Sequence, residues 1–215
     1  MKNDFTELFD EWSHTYDETV DGRDLEYRDV FHLYEHILDE VVFHSKGTVL
    51  EFGVGTGNLS RRLLKEGINV VGIEPSENMR KQAQLKNPGL LLYKGHFLQF
   101  PSVEQIDTIV STYAFHHLTD EEKQKAFQLY HKTLSKEGII VFADTMFETN
   151  HSKQSMINKA KERGFHRLAD DLQSEFYTTL PILSDIAEST GFSVTFKPLN
   201  AYVWLMIAKK NDSTK

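Results

Sequence analysis

Thr48-Val49-Leu50-Glu51-Phe52-Gly53-Val54-Gly55-Thr56-Gly57-Asn58-Leu59 carries the strongest local signal in the chain. Val49, Leu50 and Phe52 make an apolar run suited to a buried parallel strand. Gly53, Gly55 and Gly57 follow at alternate positions, and residues 58–66 then read as a helix that stops at Gly67. Strand, glycine turn and helix form the first half of a nucleotide-binding α/β unit. Glycine is needed there because the backbone bends sharply and a ligand must touch the main chain. The spacing is not the dinucleotide fingerprint G-x-G-x-x-G, because Asn58 occupies its last position. What stands instead is E-x-G-x-G-x-G, with Glu51 inside the strand.

Upstream of this unit the chain reads as helical. Phe5, Leu8, Phe9 and Trp12 give an amphipathic helix within residues 5–20. Val30, Tyr34, Ile37, Leu38 and Val41 keep helical spacing over residues 27–43, and Lys46-Gly47 ends that helix. Downstream, residues 68–74 form a second strand ending in Glu74, and a helix over 76–87 stops at Asn87-Pro88-Gly89. Residues 90–93 and 106–111 are the third and fourth strands. Thr119 and Glu122 make a capping box for a helix reaching about Leu134. Gly138 turns the chain into a fifth, almost wholly apolar strand over 139–143.

The alternation then stops. Residues 145–180 are polar and rich in histidine and aromatics, as expected of a cap inserted at the carboxyl edge of a sheet. A helix over 181–190 follows, then strands over 192–196 and 202–208, whose short link permits only an antiparallel hairpin. The expected fold is α/β: a doubly wound, mostly parallel seven-stranded sheet with an antiparallel last strand. A single domain of 215 residues accommodates it. Residues 1–45 would be a helical N-terminal segment, 46–144 the binding core, 145–180 the cap, and 181–208 the last helix and hairpin.

Composition narrows the function. The formal net charge of −8 disfavours nucleic acid as a partner. No cysteine is present, which removes disulfides, thiolate metal sites and cysteine nucleophiles. The N-terminus has no apolar signal region, and no apolar run is long enough to span a bilayer. The expectation is a cytoplasmic protein without a membrane partner, monomeric or dimeric.

Several motifs in register resemble the class I S-adenosylmethionine (SAM)-dependent methyltransferases, and more narrowly the YrrT-like group of uncharacterised bacterial methyltransferases. They are Tyr16-Asp17, residues 51–57, 72–76, 111–118, 141–145 and 163–166, and together they cover nearly the whole chain. The resemblance implies a Rossmann-like methyltransferase fold, SAM as cofactor, and a small-molecule methyl acceptor. It places Gly53, Gly55 and Gly57 against the methionyl and ribose parts of the cofactor, in the motif headed by Glu51. It places Glu74 on the ribose hydroxyls, Pro75 at the adenine, Tyr16 on the methionine moiety, and Ser111 facing the sulfonium. His96 and Phe97 fall at the adenine contact, where the superfamily usually has an acidic residue in place of His96; a neutral imidazole can still accept at one nitrogen.

His116 and His117, at the mouth of the fourth strand, are the candidate general bases if the acceptor must lose a proton. Tyr113, His14, His166, Tyr177 and Trp204 are candidates for an acceptor pocket. Arg163, Arg167 and Lys159 offer either anion contacts or a solvated face. No histidine pair stands at ligand spacing on a convincing helix, so no metal is expected. Two other functions stay open: a protein that senses SAM or its demethylated product, and a nicotinamide-dependent oxidoreductase. Asn58 and the terminal hairpin weigh against the second.

Overall fold

The computed structural model describes residues 19–211. Most of the helix expected over residues 5–20, and with it His14 and Tyr16, lies outside the described residues. Helix α1 covers Tyr34–His44, β1 Thr48–Phe52, α2 Asn58–Lys65, β2 Asn69–Ile73, α3 Glu77–Lys86, β3 Leu91–Tyr93 and β4 Ile106–Thr112. A 3-10 turn at Phe115–His117 leads to α4, Asp120–Thr133, and β5, Leu134–Thr145. Helices α5 (Asn150–Glu162) and α6 (His166–Ser174) occupy the segment expected as a cap and called so below, before α7 (Leu180–Ser189), β6 (Phe192–Pro198) and β7 (Val203–Lys210).

The seven strands lie in the order β3-β2-β1-β4-β5-β7-β6. All neighbours are parallel except β7, which runs antiparallel to β5 on one side and β6 on the other. The order reverses between β1 and β4, and the crevice outside their carboxyl ends is where an open α/β sheet binds its ligand. Because alternate side chains point to opposite faces, β1 sends Val49 to one core and Leu50 and Phe52 to the other. The first core takes residues of α1, α2, α3 and the cap; the second takes Phe127 and Tyr130 of α4 with Leu183 and Ile186 of α7.

Two elements differ from their expected limits. Helix α1 begins seven residues later than expected, at Tyr34. Leu33 stands at φ 62°, and the Asn200 amide donates to the carbonyls of Val30 and His32 at 3.0 and 2.8 Å. Tyr34 N accordingly bonds Phe31 O instead of continuing an α-helical ladder. Strand β5 begins at Leu134, so Gly138 lies within it and not in a preceding turn. Leu134 pairs with Ile106, and the register shifts before Thr108 meets Ile139. A Cβ at Gly138 would come within 2.7 Å of the Leu134 side chain, so this irregular stretch is packed as well as bent. Helix α4 starts as expected, with both halves of the Thr119–Glu122 capping box formed.

Candidate active site

The glycine turn is held open by its neighbours. Gly53, Gly55 and Gly57 all have positive φ, at 66°, 56° and 86°. Asn87 donates its amide to Gly57 O at 3.0 Å, and Lys86 reaches Thr56 Oγ1 and Asn58 Oδ1 at 2.9 and 3.0 Å. A Cβ at Gly57 would strike the Asn87 amide at 2.5 Å, whereas a Cβ at Gly55 would meet nothing within 4 Å. Gly55 therefore faces open space. A cavity walled by Tyr34, Thr112 and residues 53–56, 58 and 59 lies there.

Two carboxylates flank the turn. Glu74, immediately past β2 and 4% exposed, accepts from Gly55 N through Oε2 and from Ser76 N through Oε1, both at 2.9 Å. It links the glycine turn to the cap of α3. Glu51 lies beneath the turn, 2% exposed, accepting from Ser60 Oγ at 2.5 Å. Burial, with a smaller contribution from the nearby Glu74 charge, pushes its carboxyl up to about 8. In this structure Glu51 ties β1 to α2.

Beyond β4 the chain carries a denser polar cluster. Asp144 in β5 receives His116 Nδ1 at 2.7 Å, His116 N at 2.9 Å and Thr145 N at 2.7 Å. Burial opposes charge on His116, but the Asp144 charge and hydrogen bond outweigh it and raise its pKa. Burial likewise opposes charge on Asp144, yet His116 and the two N–H groups hold it below its ordinary value. With Nδ1–H committed to Asp144, the neutral His116 ring carries its lone pair on Nε2. His117 packs against His116 at a tilt of 58° with ring centroids 4.2 Å apart, and its Nδ1 lies 3.1 Å from Glu175 Oε2. Burial, then the neighbouring His116, lowers the His117 pKa, so the pair is a neutral imidazole donating to a carboxylate. Tyr177 lies against His116 at 4.7 Å, and Lys123, 1% exposed, donates to Phe176 O at 2.7 Å and to Leu118 O. The cap loop is thus fastened onto the histidine pair.

Tyr113 stands between the two regions at φ 53°. A bulky residue adopts that conformation at a cost of about 1–2 kcal/mol. Its ring packs on Phe31 and Tyr34, with centroids at 4.9 and 5.8 Å. Its hydroxyl is buried with no hydrogen-bond partner among the described residues, as are those of Ser111 and Thr178. Buried polar atoms are normally satisfied, so unpaired hydroxyls on Ser111 and Tyr113, beside an open glycine turn, mark a place that a polar ligand completes.

Other expected site residues are placed differently. Phe97 is buried in the core with Phe52 and Phe115, its ring 5.2 and 5.5 Å from theirs, and is not among the residues that wall the cavity at the turn. Trp204 packs on the α4–α7 core, whereas the cap packs on the other; alternation along β7 sends Val203 and Leu205 to the cap's face instead. His166 is exposed at the start of α6. His96 accepts from Leu98 N at Nδ1, 3.3 Å away, and burial lowers its pKa. A side-chain hydrogen bond with Gln99 partly offsets that burial. Arg163 pairs with Asp29 at 2.5 Å and Arg167 with Asp24 and Glu26 at 2.9 and 3.1 Å, so both fasten the cap to residues 24–29. Sequence reasoning missed Asp144, Glu175, Lys123 and Tyr34. Only the terminal position of Asp144 on an apolar strand was a signal.

Strand order, reversed β7 and glycine turn define the class I methyltransferase fold. A family described as a methyltransferase domain matches residues 49–138. The chain is 54% identical over 211 residues to an uncharacterized methyltransferase of Bacillus cytotoxicus, covering 98% of this chain and 100% of that one. The same identity and coverage hold for an uncharacterized methyltransferase of Bacillus cereus. A SAM-dependent methyltransferase from Thermotoga maritima shares the fold with a TM-score of 0.70 at 19% identity, over 96% of this chain and 99% of that one. Magnesium protoporphyrin IX methyltransferase from Synechocystis, solved with S-adenosylhomocysteine (SAH), gives 0.68 at 18% identity with the same coverage. The chain belongs to this family of SAM-dependent methyltransferases. Its cofactor is S-adenosylmethionine, and the open glycine turn, the Glu74 carboxylate and the unpaired Ser111 hydroxyl fit that group. Among the described residues no helix is long and apolar enough to cross a membrane.

Proposed function

We infer that the chain transfers the SAM methyl group to a small-molecule nucleophile held beneath the 145–180 cap, by in-line displacement, within a single domain. The observation that carries this reading is the open space at Gly55 with the buried Glu74 carboxylate bonded to that residue's N–H. A carboxylate in this position can accept from the vicinal hydroxyls of a ribose by charge-assisted hydrogen bonds. Gly53, Gly55 and Gly57 offer backbone to the methionyl and ribose parts, Pro75 borders the adenine, and the Ser111 hydroxyl faces the sulfonium side. His96 offers its imidazole to the adenine.

When bound, SAM supplies an electrophilic methyl group on its sulfonium. The protein's part is alignment and exclusion of water. Tyr113, His116, His117 and Tyr177 form the wall that the acceptor meets, since β4 and β5 deliver them, or their partners, at the same sheet edge as the glycine turn. A small acceptor is supported by the fastening of the cap loop onto this wall and by the net charge of −8. A cytoplasmic location goes with the cysteine-free composition.

The test is SAH release from SAM in the presence of a panel of small thiols, amines, phenols and carboxylates. SAH formation above the acceptor-free rate with one member supports the reading. Stoichiometric SAM binding with no transfer to any member would favour the sensing protein.

A further inference from the structure

The cluster at the end of β4 and β5 holds more ligating groups than methyl transfer itself requires. We propose that His116, His117 and Glu175 form a divalent transition-metal site of the zinc class, facing the acceptor side of the cleft. One donor atom from each of the three lies within 4.8 Å of the others. Glu175 Oε2 and His117 Nδ1 are 3.1 Å apart, close to the separation of about 3.3 Å that two ligands have across a tetrahedral ion with bonds of about 2.0–2.1 Å; the ion would replace the Nδ1 proton that bridges them, the neutral ring then carrying its proton on Nε2. His116 commits Nδ1 to Asp144 at 2.7 Å, which turns Nε2 outward as the ligating nitrogen. A carboxylate behind a ligating histidine fixes the ring and raises its basicity, a recurrent support of metal sites.

Charge points the same way. Asp144 and Glu175 bring two carboxylates to a pair of adjoining imidazoles. The neighbouring cation, Lys123, is turned into the carbonyls of Leu118 and Phe176 and into Asp120. Access is retained, because the His116, His117 and Glu175 side chains are 12%, 18% and 18% exposed. Two histidines and one carboxylate leave coordination positions open, as in sites that bind a substrate heteroatom. A hydroxyl or thiol acceptor coordinated there would have its pKa lowered and would give its proton to solvent, so neither imidazole need act as a base; this last step alone rests on the methyltransferase reading.

The sequence did not show the site because its ligands are not at helical spacing. Two are adjacent in a 3-10 turn, and the third arrives on the cap loop 58 positions after His117.

The test is calorimetric titration of the chelator-treated full chain with Zn²⁺, with Co²⁺ as a spectroscopic probe. Expected are one ion per chain, visible Co²⁺ ligand-field absorption, and affinity lowered by roughly 10–100-fold or more in Glu175→Gln and in His117→Ala. His36→Ala is the control, because His36, Glu40 and His44 form a rival exposed cluster on α1. Unchanged melting temperature and SAM affinity in Glu175→Gln separate loss of the ion site from loss of the fold or cofactor site. Absence of stoichiometric binding, equal binding in the Glu175 and His117 variants, or loss of binding in His36→Ala would overturn the proposal.

Discussion

Glu51→Gln should remove most of the fall in stability that the wild-type chain shows between about pH 5 and about pH 8. Glu51 is 2% exposed in the middle of the sheet, and its carboxyl is pushed from 4.5 up to about 8, chiefly by burial. The folded chain keeps a proton there that the unfolded chain releases above its ordinary value. Stability from the protonated form is therefore complete at low pH and is lost as pH rises through the folded value near 8. At about 1.4 kcal/mol per pH unit the upper limit is roughly 5 kcal/mol. Water entry and relaxation around the ionised group reduce this to about 2–4 kcal/mol. Glutamine keeps an oxygen for the Ser60 hydroxyl and carries no charge at any pH. The assay is urea unfolding of both proteins at a series of pH values, comparing the change in their stability difference and not its absolute size. The variant should gain about 2–4 kcal/mol on the wild type between about pH 5 and about pH 9. Parallel stability profiles would refute the buried, proton-holding Glu51.

Three further substitutions separate site from scaffold. Gly55→Ala should fold with a loss of only about 1–2 kcal/mol for its positive φ, since its Cβ meets nothing, yet lose SAM affinity because the methyl fills the open space. Gly57→Ala should cost more than that in thermal denaturation, because its Cβ would lie 2.5 Å from the Asn87 amide and 3.1 Å from the Ala83 backbone. Lys123→Ala should cost about 1–3 kcal/mol in urea unfolding, by leaving carbonyls of Leu118 and Phe176 unpaired under the cap. Arg167→Ala should cost under about 1 kcal/mol, since its pairs with Asp24 and Glu26 involve a side chain 60% exposed.

The fold was legible because its signals are local. An apolar strand, a glycine turn and a helix recur in order, and the four residues between the last two strands admit only a hairpin. The limits of α1 and β5 were not legible, because each is set from a distance: Asn200 takes the carbonyls that α1 would need, and Ile106 draws Leu134 into the sheet. The same division runs through the site. Gly53, Gly55, Gly57 and Glu74 sit at motif positions; Gly53 and Gly55 wall the cavity, and Glu74 accepts from Gly55 N. Phe97 and Trp204 went astray because an aromatic next to a motif is equally suited to a core, and strand parity decides which face it takes. Glu175 was invisible because nothing in the 145–180 segment states where its loop docks; the His117 contact and the Lys123 contacts to Phe176 fix that.

The cofactor site is probed by calorimetric titration with SAM, SAH and NAD, on wild type and Glu74→Ala. SAM and SAH should bind the wild type, both should be lost in Glu74→Ala with the fold retained, and NAD should not bind. Binding of NAD alone, or undiminished SAM binding by Glu74→Ala, would contradict a SAM site at Glu74.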